Sequence, residues 1–120
     1  MRKQLLQDNK TIRRPWGILR ELERQGSYIV KEITVPPRKQ CSLHVHQNHD
    51  EHWLIVSGTG QAVIGDKTVA IEPNTYVSLP RKLPHRVINS GSEPLCYIEI
   101  VYGEGVAEDD LEKLDCTYDF

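Results

Sequence analysis

The sequence predicts an all-β protein of the sandwich or barrel type. About eight short extended segments follow one another at a spacing of roughly 8–12 residues, the pattern of such folds. Pro and Gly separate nearly all of them. Only the tail AEDDLEKLD (107–115) has helical composition, with its acids at the N-terminal end, where the helix dipole favours them.

In chain order, residues 1–13 are polar and weakly periodic, an arm or a short strand, and RPWG (14–17) is turn-like with one large aromatic. SYIVKEITV (27–35) alternates apolar and polar residues and is rich in β-branched side chains, which suits a half-buried strand. PPRKQ (36–40) breaks it. CSLHVH (41–46) is short and extended, and EHWLIVSG (51–58) is nearly all apolar after its first residues. GQAVIGDKTVAIE (60–72) reads as a hairpin turning at Gly65-Asp66. TYVSLP (75–80), HRVINSG (85–91) and LCYIEIVYG (95–103) complete the strands.

A length of 120 residues suits one domain, with an arm over about 1–26, a barrel over about 27–103 and a tail over 104–120. The chain is 38% hydrophobic and 27% charged, ordinary for a globular protein. A net charge of −2 and the lack of a basic run argue against nucleic acid as a partner. No stretch approaches the roughly 20 apolar residues of a membrane span, and the polar start lacks the apolar run of a signal peptide. Cys41, Cys96 and Cys116 are odd in number with no CxxC pair, so they read as free thiols of a reducing compartment, and a cytoplasmic location is expected.

Chemistry concentrates in SLHVHQNHDEHWLIVSG (42–58), which holds four of the five histidines. His44 and His46 stand two apart on a strand, so both side chains share one face. Glu51 opens the next strand and can aim at that face, and His85 opens a later one. Three imidazoles and one carboxylate make a mixed nitrogen–oxygen metal site with open positions for substrate. Singly, each of these residues is better read as an exposed polar residue at a strand end; their joint spacing favours the metal site. The expected cofactor is therefore one divalent ion, from among zinc, manganese, iron, cobalt and nickel.

The spacing HxH-x4-E-x6-G fits His44, His46, Glu51 and Gly58, and P-x4-H-x3-N fits Pro80, His85 and Asn89. These resemble the two motifs of the cupin superfamily, over about residues 30–102. The resemblance implies a double-stranded β-helix, or jelly roll, with all four metal-ligand positions filled. It makes Gly58, Pro80 and Asn89 structural. Arg38 and Lys82 stand where that pattern usually has glycine. A narrower resemblance rests on RPWG (14–17), YIVKEITVPP (28–37), EHWLIVSGTG (51–60), PHRVINSG (84–91), PLCYIEI (94–100) and EDDL (108–111). In this order they resemble the isomerase domain of bifunctional mannose-6-phosphate isomerase/mannose-1-phosphate guanylyltransferase enzymes, without their nucleotidyltransferase half. Where that family usually has SLQxHxxRxEHW, this chain has SLHVHQNHDEHW, so a family glutamine is His44 and a family arginine is His49.

The resemblance implies a metal-dependent aldose–ketose isomerase acting on a phosphosugar such as mannose 6-phosphate. Another metal-dependent cupin enzyme, such as a dioxygenase, and a non-catalytic sugar-binding cupin are the alternatives. His49 and Lys31 are the proton-transfer candidates. His49 lies in the loop at the mouth, as an acid–base group or a solvated residue. Lys31 matches a family lysine; facing the barrel it would be costly without an anion, whereas facing out it is merely solvated. Arg81, Lys82 and Arg86 cluster around His85, either as a phosphate-binding group or as a charged surface loop. By alternation His52 points away from the site. Trp16 and Trp53 read as core or dimer-interface residues, and Tyr97 and Glu99 share one face of the last strand. Small cupins pair exposed sheet edges, so the N-terminal arm and RPWG predict a homodimer.

Overall fold

The computed structural model describes residues 10–106 and 111–115. Twelve strands run in order: β1 (Lys10–Arg14), β2 (Gly17–Arg24), β3 (Tyr28–Val35), β4 (Lys39–Gln40), β5 (Leu43–His46), β6 (Asp50–Ser57), β7 (Gly60–Ile64), β8 (Lys67–Ile71), β9 (Tyr76–Leu79), β10 (His85–Asn89), β11 (Leu95–Tyr102) and β12 (Leu111–Asp115). They build two antiparallel sheets, β1-β2-β3-β11-β6-β9 and β12-β5-β10-β7-β8, with β4 also pairing β10. The architecture is the jelly roll that the cupin motifs imply.

The strands expected from alternation are all present. Along β3, Ile29, Lys31, Ile33 and Val35 are buried while Val30, Glu32 and Thr34 are only half-buried. Along β11, Leu95, Tyr97, Glu99 and Val101 point inward in the same way. The hairpin of β7 and β8 turns at Gly65-Asp66, with Gly65 at φ 62°, as a two-residue turn with glycine first requires. β2 has no counterpart among the expected strands. GILRELER carries its charges as two adjacent pairs, Arg20-Glu21 and Glu23-Arg24, rather than in alternation, and its partner β3 supplies the ladder that makes it extended.

The expected C-terminal helix is a correction. Residues 111–115 form β12, antiparallel to β5, with Leu111 opposite His46 and Lys113 opposite His44. Residues 107–110 lie outside the described part. The open edge of β5 offers unpaired backbone groups, and satisfying them outweighs the helical preference of so short a segment.

The core lies between the sheets and gathers Trp16, Ile33, Val35, Trp53, Ile55, Ile71, Leu79, Val87 and Leu95 with their neighbours. Turns hold it in register. Asn89 is fully buried, and its side-chain amide donates to the carbonyls of Val35 (2.9 Å) and Glu93 (2.8 Å), while its Oδ1 accepts from the Gly91 amide. Gly58 sits at φ 83°, where an added Cβ would lie 2.2 Å from the Pro94 carbonyl oxygen. Arg38 (φ 68°) and Lys82 (φ 70°), the two positions where glycine is usual, do adopt the left-handed conformation. The Arg38 amide donates to Asn89 O at 2.8 Å, and the Lys82 amide to His46 O at 2.6 Å.

Candidate metal centre

Among the buried residues, several are polar or charged. His46 ends β5, Glu51 lies near the start of β6, and His85 begins β10, so three strand ends converge from both sheets. Donor atoms of these three residues all lie within 4.8 Å of one another, and all three residues are buried. Glu51 is the hub. Its Oε2 contacts His46 Nε2, its Oε1 is 3.5 Å from His85 Nε2, and Trp53 Nε1–H donates to Oε1 at 3.0 Å.

The electrostatics follow. Burial alone would push the Glu51 carboxyl up, but hydrogen bonds from His46 and His85, and their charge, hold it well below the usual carboxylate range. Burial also opposes charge on His85, yet the hydrogen bond and charge of Glu51 raise its pKa overall. His85 Nδ1–H donates to the Leu83 carbonyl at 3.1 Å, which fixes the tautomer and turns Nε2 towards Glu51.

The residues fit a divalent ion. Two imidazoles and one carboxylate, buried and converging from separate strands, match the chemistry of a mixed nitrogen–oxygen site. Two of the three are oriented from behind by Leu83 and Trp53, as ligands usually are.

The other expected site residues divide into those near this cluster and those elsewhere. His44 is opposite His85 in the β5–β10 ladder, half-buried, with its ring centroid 6.4 Å from that of His46. It stands beside the three-residue cluster rather than within it. His49 is only 4% exposed; its ring lies 4.2 Å from that of His46, and its Nε2 is 4.0 Å from Glu51 Oε2. Gly103 makes room for it, because a Cβ there would lie 2.9 Å from that of His49. Lys31 faces inward and is 6% exposed. Arg81 is at the rim, where its backbone amide donates to Asp50 Oδ1 at 2.8 Å and its Nε to the same oxygen at 3.3 Å. Those contacts, the backbone one first, hold the Asp50 carboxyl below its ordinary range. Lys82 is exposed on the same turn. Arg86 alternates away from His85 to the outer face of its sheet, where it donates to Gln40 Oε1 at 3.0 Å, so it is not brought to the cluster. His52 also faces outward, bonded to the Tyr76 hydroxyl at 2.6 Å.

Trp53 was legible as a core residue but not as the donor that orients Glu51. The available signal was its place two residues along the same strand, which puts both side chains on one face.

A family model described as mannose-6-phosphate isomerase C-terminal matches residues 1–116. The alginate biosynthesis protein AlgA of Pseudomonas aeruginosa is 38% identical over 112 residues, covering 93% of this chain and 23% of that protein. Mannose-1-phosphate guanylyltransferase 2 of Escherichia coli O157:H7 is 34% identical over 103 residues, covering 86% of this chain and 21% of that protein. The chain thus spans less than a quarter of the length of these relatives. Among solved structures, oxalate decarboxylase of Bacillus subtilis superimposes with a TM-score of 0.77 at 21% identity, over 91% of this chain and 31% of that one. A double-stranded β-helix protein of Klebsiella pneumoniae gives 0.73 at 16%, over 90% of this chain and 87% of that one. Both likenesses concern the fold.

Proposed function

The chain belongs to the mannose-6-phosphate isomerase C-terminal family, and from that premise we propose that it is a metal-dependent aldose–ketose isomerase acting on mannose 6-phosphate or a close phosphosugar. The observation that carries this reading is the buried convergence of His46, Glu51 and His85. In the proposal these three hold one divalent ion, and His44 turns in from beside them as a fourth ligand. When bound, such an ion polarises the carbonyl and hydroxyl oxygens of a sugar.

The chain's own residues do the rest. The reaction moves a proton between C1 and C2, and His49 is the group proposed to carry it, since an imidazole shuttles protons near neutral pH. Its burial and its 4.0 Å approach to Glu51 support that role. Lys31 provides a second polar group inside the barrel. Arg81 and Lys82 at the rim are proposed to hold the phosphate, Arg81 exchanging its bond to Asp50 for the ligand. Cys41 and Cys96 are free thiols, in keeping with a proposed cytoplasmic setting. Among the described residues no helix is long and apolar enough to cross a membrane.

One departure favours a second reading. His49 stands where the family has arginine, so a non-catalytic sugar-binding module is the competing proposal. The test is a coupled assay of mannose 6-phosphate conversion to fructose 6-phosphate, with the protein loaded in turn with zinc, manganese, cobalt or nickel. Turnover that disappears on chelation and returns with the ion is expected. Ligand binding without turnover under every loading would favour the binding module.

A further inference from the structure

A polar row crosses the inner face of the first sheet, next to the candidate metal centre. The register sets Glu21 on β2 opposite Lys31 on β3, Lys31 opposite Glu99 on β11, and Glu99 opposite Trp53 on β6. Directly opposed residues share a face, with Cβ atoms about 4.5–5.5 Å apart. Trp53 then donates to Glu51 at 3.0 Å, so the row runs without a break to the metal ligands. Lys31 is 6% exposed and Glu99 9%, and neither is isolated. The next inward row, Ile33, Tyr97 and Ile55, belongs to the core.

Stability does not explain this pair. Placing an ammonium and a carboxylate inside a barrel costs desolvation that their attraction barely offsets, and apolar residues of the same size usually serve as well. Nor does the row suit an anion. Lys31 has a carboxylate on each side, and a phosphate there would meet Glu21 and Glu99. Glu21 is already occupied by Arg24, whose Nε and Nη2 each donate to it at 2.8 Å. Lys31 and Glu99 are an adjacent donor and acceptor across the β3–β11 ladder. A hydroxyl both donates and accepts, so neighbouring hydroxyls of a sugar match such a pair at both ends. β3 and β6 are two strand spacings apart, roughly 10 Å, a span that an open-chain hexose can bridge.

Building on the isomerase reading, we propose that Lys31 and Glu99 form a hydroxyl-recognition pair, selecting a polyhydroxylated chain whose reacting end lies at the His46–Glu51–His85 cluster. Glu99 is thereby a specificity residue for the open-chain sugar, and the anionic end of the substrate points to the rim.

The probe is mannitol 6-phosphate, which keeps the hydroxyls and the phosphate but has no carbonyl to isomerise. Binding is read by calorimetry and by tryptophan fluorescence, beside manganese alone and inorganic phosphate as separate titrants. In Lys31→Met and in Glu99→Gln, affinity for mannitol 6-phosphate should fall about tenfold or more, the scale of a lost charged hydrogen bond. Affinity for manganese and for inorganic phosphate should not change. The double variant Lys31→Met/Glu99→Leu replaces the pair by apolar residues and guards against misfolding in the singles. If it folds and binds mannitol 6-phosphate like the wild type, the proposal is overturned. A parallel loss of manganese binding would show a structural role and also overturn it. Wild-type binding that depends on the pair, without turnover of any aldose phosphate, would sink the isomerase reading and leave the pair standing.

Discussion

At the scale of single residues, the molecule is organised around Glu51, which meets two histidines and an indole within a few ångströms. His49 lies beside it, with Nε2 4.0 Å from Glu51 Oε2. If it carries the proton, His49→Ala should lower kcat by roughly 100-fold or more, the usual loss for a general acid–base group. Metal content should stay unchanged, and an unaltered kcat would remove His49 from the mechanism. Cys41 offers a test of the interior itself. Burial, then the nearby charge of Glu99, push its thiol from the ordinary 9.0 up to about 12. The folded protein keeps that proton while the unfolded chain releases it above about pH 8.5. Cys41 therefore favours the fold below that pH, and the contribution is lost as pH rises towards 12. Denaturant midpoints for wild type and Cys41→Ala should diverge least in strong alkali, and iodoacetamide should spare Cys41 in the native protein near pH 8. Rapid native labelling would show that the interior admits water there. The convergence of His46, Glu51 and His85 was legible because strand spacing brings residues of these types together. Arg86 was misread by proximity: it is next to His85 in sequence, and strand alternation sends it to the other face.

At the scale of elements, the barrel strands were legible from alternation, and β2 and the tail were not. β12 shows why. Its local composition favours a helix, but the edge of β5 decides its conformation, and no local pattern reports a distant edge. The turns carry a sharper consequence. Arg38 occupies a left-handed position that disfavours side chains by about 1–2 kcal/mol. Glycine there costs about 0.5–1 kcal/mol in chain entropy. Arg38→Gly should then stabilise the protein by up to about 1 kcal/mol, seen as a higher melting temperature, and a clear fall would show that the Arg38 side chain matters more than its backbone. Gly58→Ala should go the other way by about 2 kcal/mol or more, since strain at φ 83° adds to the clash with Pro94.

At the scale of the whole molecule, an apolar core and a buried cluster of His46, Glu51 and His85 share the interior, so substitutions in the two should separate by readout. The outer surface raises a different question. β1 ends its sheet, pairing only β2 along the described residues, and so leaves one row of backbone donors and acceptors for a partner. The same sheet exposes Leu54, Tyr76, Ile100 and Tyr102 on its outer face, more apolar surface than single scattered residues would give. Those residues lie on β11, β6 and β9, away from β1, but an open edge by itself invites uncontrolled association unless something pairs with it. Pairing with a second copy closes the edge by twofold symmetry and exhausts it, since the same strand serves both chains. The expected species is a homodimer of the 13.8 kDa chain. Sedimentation equilibrium at micromolar concentration should give twice that mass. A change of Thr11 in β1 to proline, at a position whose amide the ladder alternation turns away from β2, should shift the equilibrium towards monomer. A wild-type chain that sediments as a monomer would mean that β1 is protected in some other way.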